Sequence, residues 1–218
     1  MRAFTRTLTV AGSIAAAIAV GGMTAAHAAG TTLSKGHVDV LDVEYDGVGL
    51  DLHVHVHDES VTPDVEYAPA DVVLQSLPAS AYTVPSGTCY SHLGTAGATV
   101  YRLPQVENAN LLWPGFSGEH LSAGVFQSDK VQVKLTSVSG PGKLTVYKNG
   151  LCPKSNRYFD SGDATLTNSK DVAAGEHDHA NWVFTKAGSY TATFQVSGTL
   201  ANGTKVGPTS ATYTFQVG

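Results

Sequence analysis

The sequence predicts an all-β fold, an antiparallel β-sandwich of the immunoglobulin-like or jelly-roll-like type. Three observations carry this. Apolar and polar residues alternate strictly in several short runs, the pattern of half-buried strands. Turn signals separate the runs: Asp46-Gly47, Pro85-Ser86-Gly87, Gly140-Pro141-Gly142, Asn149-Gly150, Ala187-Gly188 and Asn202-Gly203. No window sustains the 3.6-residue apolar period of an amphipathic helix. Short strands at regular spacing close most readily into a sandwich.

The chain opens with a segment of another kind. Arg2 and Arg6 precede an uncharged apolar stretch from Leu8 to Val20, and Ala26-His27-Ala28 follows with small residues at the −3 and −1 positions. These are the three parts of a secretory signal peptide, expected to span residues 1–28. The apolar stretch is too short for a membrane anchor, which needs about 20 such residues. A single β-sandwich domain is expected over residues 29–218, with no membrane insertion. No sorting signal follows Phe215-Gln216-Val217-Gly218. The expected location is therefore secreted, extracellular, with cell-wall association as the variant.

Composition narrows the function. Of 218 residues, 14% are charged, and 13 Lys and Arg face 18 Asp and Glu, for a formal charge of −5. Without a basic cluster, the chain has nothing to hold phosphates, which excludes nucleic acid as a partner. A hydrophobic share of 42% excludes a disordered acidic chain. The two cysteines, Cys89 and Cys152, are too few for a four-thiolate zinc site. In an exported chain they are expected to form a disulfide.

In the first hairpin, Val48, Leu50, Leu52, Val54 and Val56 alternate with Gly49, Asp51, His53, His55 and His57. Residues 37–45 precede the Asp46-Gly47 turn and are expected to pair back on this strand. A three-residue loop sets Val38 opposite Val56 and Val40 opposite Val54. His37 then faces His57, and Asp39 faces His55, on the polar side. Opposed Cβ atoms lie about 4.5–5.5 Å apart, so His37 and His57 form half a metal site. His53 and His57, about 13 Å apart along one strand, are near the limit of what two imidazoles can bridge, so this array offers at most two ligands to any one ion. His53 and His55 read equally well as the wet face of a strand.

The segment 78–128 reads as long loops with one or two strands. Further strands are expected at 131–135, 143–147, 189–196 and 211–217. Between them, Glu176-His177-Asp178-His179-Ala180-Asn181-Trp182-Val183-Phe184 reads as one strand. His177, His179 and Asn181 would share its polar face, with Ala180, Trp182 and Phe184 in the core. Imidazoles at i and i+2 sit about 6.6 Å apart on one face and suit a tetrahedral ion with Zn–N near 2.0–2.1 Å. Glu119-His120 offers a further ligand or an orienting carboxylate. His92 and His120 otherwise read as solitary loop histidines, and Asp39 either as a solvated carboxylate or as one that compensates charge and orients the rings beside the ligands. There is no Asp-x-Asp-x-Asp-Gly calcium loop and no Gly-x-Ser-x-Gly elbow.

At these residues the chain resembles a family. Gly36-His37-Val38-Asp39-Val40, Val56-His57-Asp58, Leu103-Pro104-Gln105, Leu112-Trp113-Pro114-Gly115-Phe116, Gly140-Pro141-Gly142 and His177 to Phe184 are similar, in order, to the actinobacterial surface-anchored repeat domain, or choice-of-anchor M domain. Gly188-Ser189-Tyr190 and Asn202-Gly203 continue the pattern, which spans about residues 34 to 218. Such domains accompany ABC importers of the zinc/manganese type. The resemblance implies metal capture outside the membrane, with the substrate-binding component of an ABC importer as partner. It points to His37, His57, His177 and His179 as ligands, and to zinc as the metal. The ligand chemistry alone admits copper or another divalent transition metal. No catalytic role is expected. The competing reading is a surface-adhesion or carbohydrate-binding sandwich that offers Trp113, Phe116 and Tyr90 to its ligand.

Processing follows from the leader. The exported protein should begin at Ala29 or within two residues of it, measured as intact mass from the culture medium. Exported material that retains Met1 contradicts this.

Overall fold

The structure, a computed structural model, describes residues 30–57 and 65–218. The expected leader lies outside the described residues. The expected all-β class is what the structure shows. Strand accounts for 55% of the described residues, and the helical turns among them are short and 3-10 in character. No helix among the described residues is long and apolar enough to cross a membrane.

Among the described residues, sixteen strands form three sheets. The first sheet carries the histidines. In spatial order it holds β13 (His177–His179), β8 (Leu112–Ser117), β2 (Gly36–Tyr45), β3 (Leu50–His57) and β4 (Val65–Tyr67). The second holds β11 (Arg157–Asp160), β10 (Leu144–Tyr147), β14 (Asn181–Phe184), β7 (Thr99–Leu103) and β6 (Ala81–Thr83). The third holds β1 (Thr31–Leu33), β5 (Val72–Ser76), β16 (Lys205–Val217), β15 (Gly188–Thr199), β9 (Lys130–Ser139) and β12 (Ser169–Ala173). Pairing is antiparallel except at β1/β5, β16/β5 and β2/β8.

The core lies between the third sheet and the other two. Trp182 of β14 is fully buried, with its ring 6.0 Å from Phe194 and 5.9 Å from Phe215 of the third sheet. Phe116 of β8 stacks on it at 5.8 Å, which joins the first sheet to the same core. Burying one such side chain contributes roughly 1.5–3 kcal/mol.

The first hairpin shows why the expected register holds at one end and slips at the other. His37 pairs with His57, Val38 with Val56 and Asp39 with His55, as the alternation requires. Nearer the turn, Tyr45 pairs with Leu50 and Asp42 with His53, so the connection is four residues rather than three. Asp46 Oδ1 accepts bonds from the amides of Val48 and Gly49, both at 2.7 Å, and Gly47 takes φ +92°, which glycine supplies without strain. A bulge at Val40-Leu41 absorbs the difference. Both bulge residues are fully buried, and Val40 does not pair with Val54. The extra residue also turns Asp42 toward the histidine side that Asp39 already faces.

Two further expectations are corrected. The segment 78–128 holds three strands, β6, β7 and β8. The run from His177 to Phe184 is two strands in different sheets, divided at the buried Ala180. Asn181 therefore leaves the histidine face. It is buried in the second sheet, where it accepts from the Gln105 amide at 3.1 Å and donates to Asn149 Oδ1 at 2.9 Å.

Cys89 and Cys152 form a disulfide across 63 residues of sequence. His92 sits nearby, edge-on to Tyr147 at 5.0 Å, and burial, with Arg157 adding to it, lowers its pKa to about 4. Closing a loop of this length contributes roughly 4 kcal/mol in the chain-entropy model. In a domain of this size that corresponds to a drop in Tm of about 10 °C on reduction. Calorimetry with and without reductant measures it, and an unchanged Tm contradicts it.

Candidate metal centre

Five strands of the first sheet bring the site together through their register. His179 pairs with Gly115, Gly115 with Asp39, Asp39 with His55, and His55 with Glu66. On one side of this row, Trp113 pairs with His37 and His37 with His57. On the other, His177 pairs with Ser117, Ser117 with Asp42, and Asp42 with His53. Residues far apart in sequence thus form adjoining rows on one sheet face.

At the centre is the Asp39 carboxylate, with no solvent exposure. Its Oδ2 accepts a hydrogen bond from His57 Nε2 at 2.8 Å. Its Oδ1 accepts none, and lies 3.2 Å from His177 Nε2 and 3.7 Å from His37 Nε2. Burial alone would raise the pKa of this group. The imidazoles of His37, His177 and His57 outweigh burial and hold it below the usual carboxylate value. Asp39 is therefore an anion at neutral pH, and one of its oxygens has no donor.

The histidines are aimed at that oxygen. His179 Nδ1 donates to the Pro114 carbonyl at 3.1 Å, because a carbonyl can only accept. This fixes the tautomer and leaves Nε2 as a bare lone pair, buried and without a hydrogen-bond partner. Burial, with the neighbouring His37, lowers the His179 pKa to about 4, so the ring is neutral at pH 7. The Nε2 atoms of His37 and His177 are 2.9 Å apart. At most one of them can carry a proton between them. Ligand atoms of His37, Asp39, His177 and His179 all lie within 4.8 Å of one another. Nitrogen and oxygen atoms on a tetrahedral ion at about 2.0–2.1 Å stand somewhat over 3 Å apart, a separation these contacts approach.

The surroundings hold the rings in place. Trp113 stacks on His179 at 3.7 Å between ring centres and 10° between planes, and its Nε1 donates to the Gln105 carbonyl at 2.9 Å. Asp178, between the two histidines of β13, is bonded by Lys148 and by the Tyr158 hydroxyl at 3.2 Å. Gly115 leaves the space that the cluster fills. A Cβ there would lie 2.1 Å from Asp39 Oδ1 and 2.9 Å from His179 Cε1.

Of the four expected ligands, His37, His177 and His179 meet around Asp39. His57 belongs to an overlapping set with Asp39, Glu119 and His177, where it bonds the second Asp39 oxygen. Asp39 stands inside the cluster, where the sequence offered only a solvated or charge-compensating carboxylate. Glu119 Oε2 lies 3.7 Å from His177 Nδ1. His120 and His55 approach Asp42, and His53 approaches Glu44 at 3.3 Å. His92 lies apart, by the disulfide. Of the aromatics in the competing reading, Phe116 is fully buried, Trp113 is half-buried with its ring against His179, and Tyr90 is half-buried beside Val84 and Leu93.

No family model matches the chain, and no curated protein or solved structure matches it either.

Gly115→Ala tests the cradle. The methyl group must displace Asp39 or His179, at a cost of about 1–3 kcal/mol if the sheet holds. Zinc affinity measured by titration should fall at least about tenfold, with an unchanged far-ultraviolet circular dichroism spectrum. Affinity equal to the parent contradicts the assignment.

Proposed function

We propose that this is an exported transition-metal-binding protein that captures or buffers zinc outside the cell and delivers it to the substrate-binding component of an ABC importer. One observation carries the metal reading. Three imidazoles and a buried carboxylate oxygen that accepts no hydrogen bond converge from two strands, β2 and β13. Such an arrangement is costly without a cation, since a buried anion needs compensation. Three nitrogens and one oxygen suit zinc, and also copper, nickel or cobalt. The preference for zinc, the importer partner and cell-wall association rest on the family resemblance.

The role proposed is binding without catalysis. Capture uses the neutral imidazoles, and release follows their protonation as pH falls. His179, with its pKa lowered to about 4, keeps its lone pair available under mildly acidic conditions. His57 orients Asp39 through the second carboxylate oxygen, the role outer-shell partners play in metal sites.

Calorimetric titration of the metal-free protein with zinc tests the reading. The His177→Ala/His179→Ala variant should lose the tighter zinc and keep its fold, because Ala180, Trp182 and Phe184 carry the packing. His53→Gln should bind that zinc as the parent does. The opposite pattern moves the site to β3. A parent protein that binds no zinc, copper or nickel at micromolar concentration sinks the metal reading.

A further inference from the structure

Beside the first cluster, the same sheet face carries a second. Ligand atoms of Asp42, His55, Glu66 and His120 all lie within 4.8 Å of one another. Asp42 has no solvent exposure, and burial, only partly offset by the neighbouring Ser117 hydroxyl and the imidazoles, raises its pKa. Oδ2 faces His120 Nδ1 at 3.2 Å and His55 Nδ1 at 3.6 Å. His120 Nδ1 also lies 3.7 Å from Glu66 Oε1. The rings of His55 and His120 stack at 5.6 Å, and His55 lies 4.3 Å from His57 of the first cluster.

Backbone geometry builds this arrangement. The Val40-Leu41 bulge turns Asp42 to the histidine side, beside Ser117 and His53 in the ladder. Glu66 comes from β4, directly opposite His55. His120 comes from the turn after β8. That turn is tied down at Gly118, whose amide donates to the Glu176 carbonyl and whose carbonyl accepts from the Gly175 amide, both at 2.8 Å. Three strands and a pinned turn thus converge on a carboxylate that water does not reach.

We propose that Asp42, His55, Glu66 and His120 form a second divalent-metal position adjoining the first, so that the sheet face holds a pair of ions. Two carboxylates and two imidazoles carry a ligand charge that neutralises a divalent cation. This mixed oxygen and nitrogen set takes zinc, and accommodates harder ions such as manganese more readily than the imidazole-rich first cluster. An ordinary surface His–acid cluster would leave its carboxylates in water. Here the anchoring carboxylate is buried beside Ser117 and two imidazoles, and a cation supplies the compensation that a buried anion needs. The proposal stands beside the proposed function and does not rest on its ligand assignment.

The test is stoichiometry. Metal-free protein is titrated with zinc, and bound ions are counted by native mass spectrometry. The parent should take two, and Asp42→Asn and His120→Ala should each take one. The His177→Ala/His179→Ala variant should also keep one, held by the second cluster. Asp42→Asn preserves shape in a buried place. If it does not fold by circular dichroism, His120→Ala in the exposed turn decides alone. A parent that binds one zinc, unaffected by His120→Ala, overturns the second position and leaves the first standing. One zinc lost in His120→Ala but retained in His177→Ala/His179→Ala supports the Asp42 cluster and overturns the ligand set of the proposed function. No zinc bound by the parent overturns both.

Discussion

The arrangement of the histidine sheet depends on a buried carboxylate without a full set of donors. Asp39 sits in the central strand of its sheet, with no solvent exposure and one oxygen that accepts no hydrogen bond. A buried charge must be paired, because the effective penalty of removing it from water is several kcal/mol. The surrounding residues answer that requirement. His57 donates to one oxygen, His177 and His37 face the other, and Gly115 gives up its side chain so that His179 can approach. The imidazoles compensate only in part. A divalent cation completes the balance, and a ligand that binds only the folded state adds stability as RT ln(1 + [L]/Kd), about 4 kcal/mol at a thousand times Kd.

This constraint explains the rigidity of the surroundings. Metal ligands need support from behind, since an ion does not by itself hold long side chains in one rotamer. The support here comes from three directions. Trp113 covers His179, the Lys148–Asp178 pair pins the short strand β13, and the Trp182–Phe194–Phe215 aromatic packing anchors β14 just after it. The chain crosses from the first sheet to the second at Ala180. The same eight residues thus supply ligands to one sheet and core to another.

Much of this is legible in the sequence because strand periodicity is a strict geometric rule. The alternation in β3 and the Asp46-Gly47 turn lead to the pairing of His37 with His57 and of Asp39 with His55. What the alternation misses is the bulge. Val38-Asp39-Val40-Leu41-Asp42 places two apolar residues between two acids, a break in the period of two that signals an inserted residue. The bulge brings Asp42 to the site. The division of His177–Phe184 into two strands is less visible, because one continuous alternation serves both sheets and only the fold decides where the chain crosses. Gly115 carries no signal of its own, since its absent side chain matters only once β8 lies between β2 and β13. Pattern alone does not tell a buried polar strand position from an exposed one, so the burial of Asp39 is not legible in the sequence.

The claim at the centre is that imidazoles and the Asp39 carboxylate together form the first shell of a metal ion. X-ray absorption at the zinc edge, on protein loaded with one equivalent, reads that shell directly. The account predicts a four-coordinate shell at about 2.0–2.1 Å, with the outer-shell scattering of three imidazoles and one oxygen ligand, the oxygen component changing in Asp39→Asn. A shell of oxygen atoms alone, without imidazole scattering, or a spectrum identical in Asp39→Asn, contradicts it.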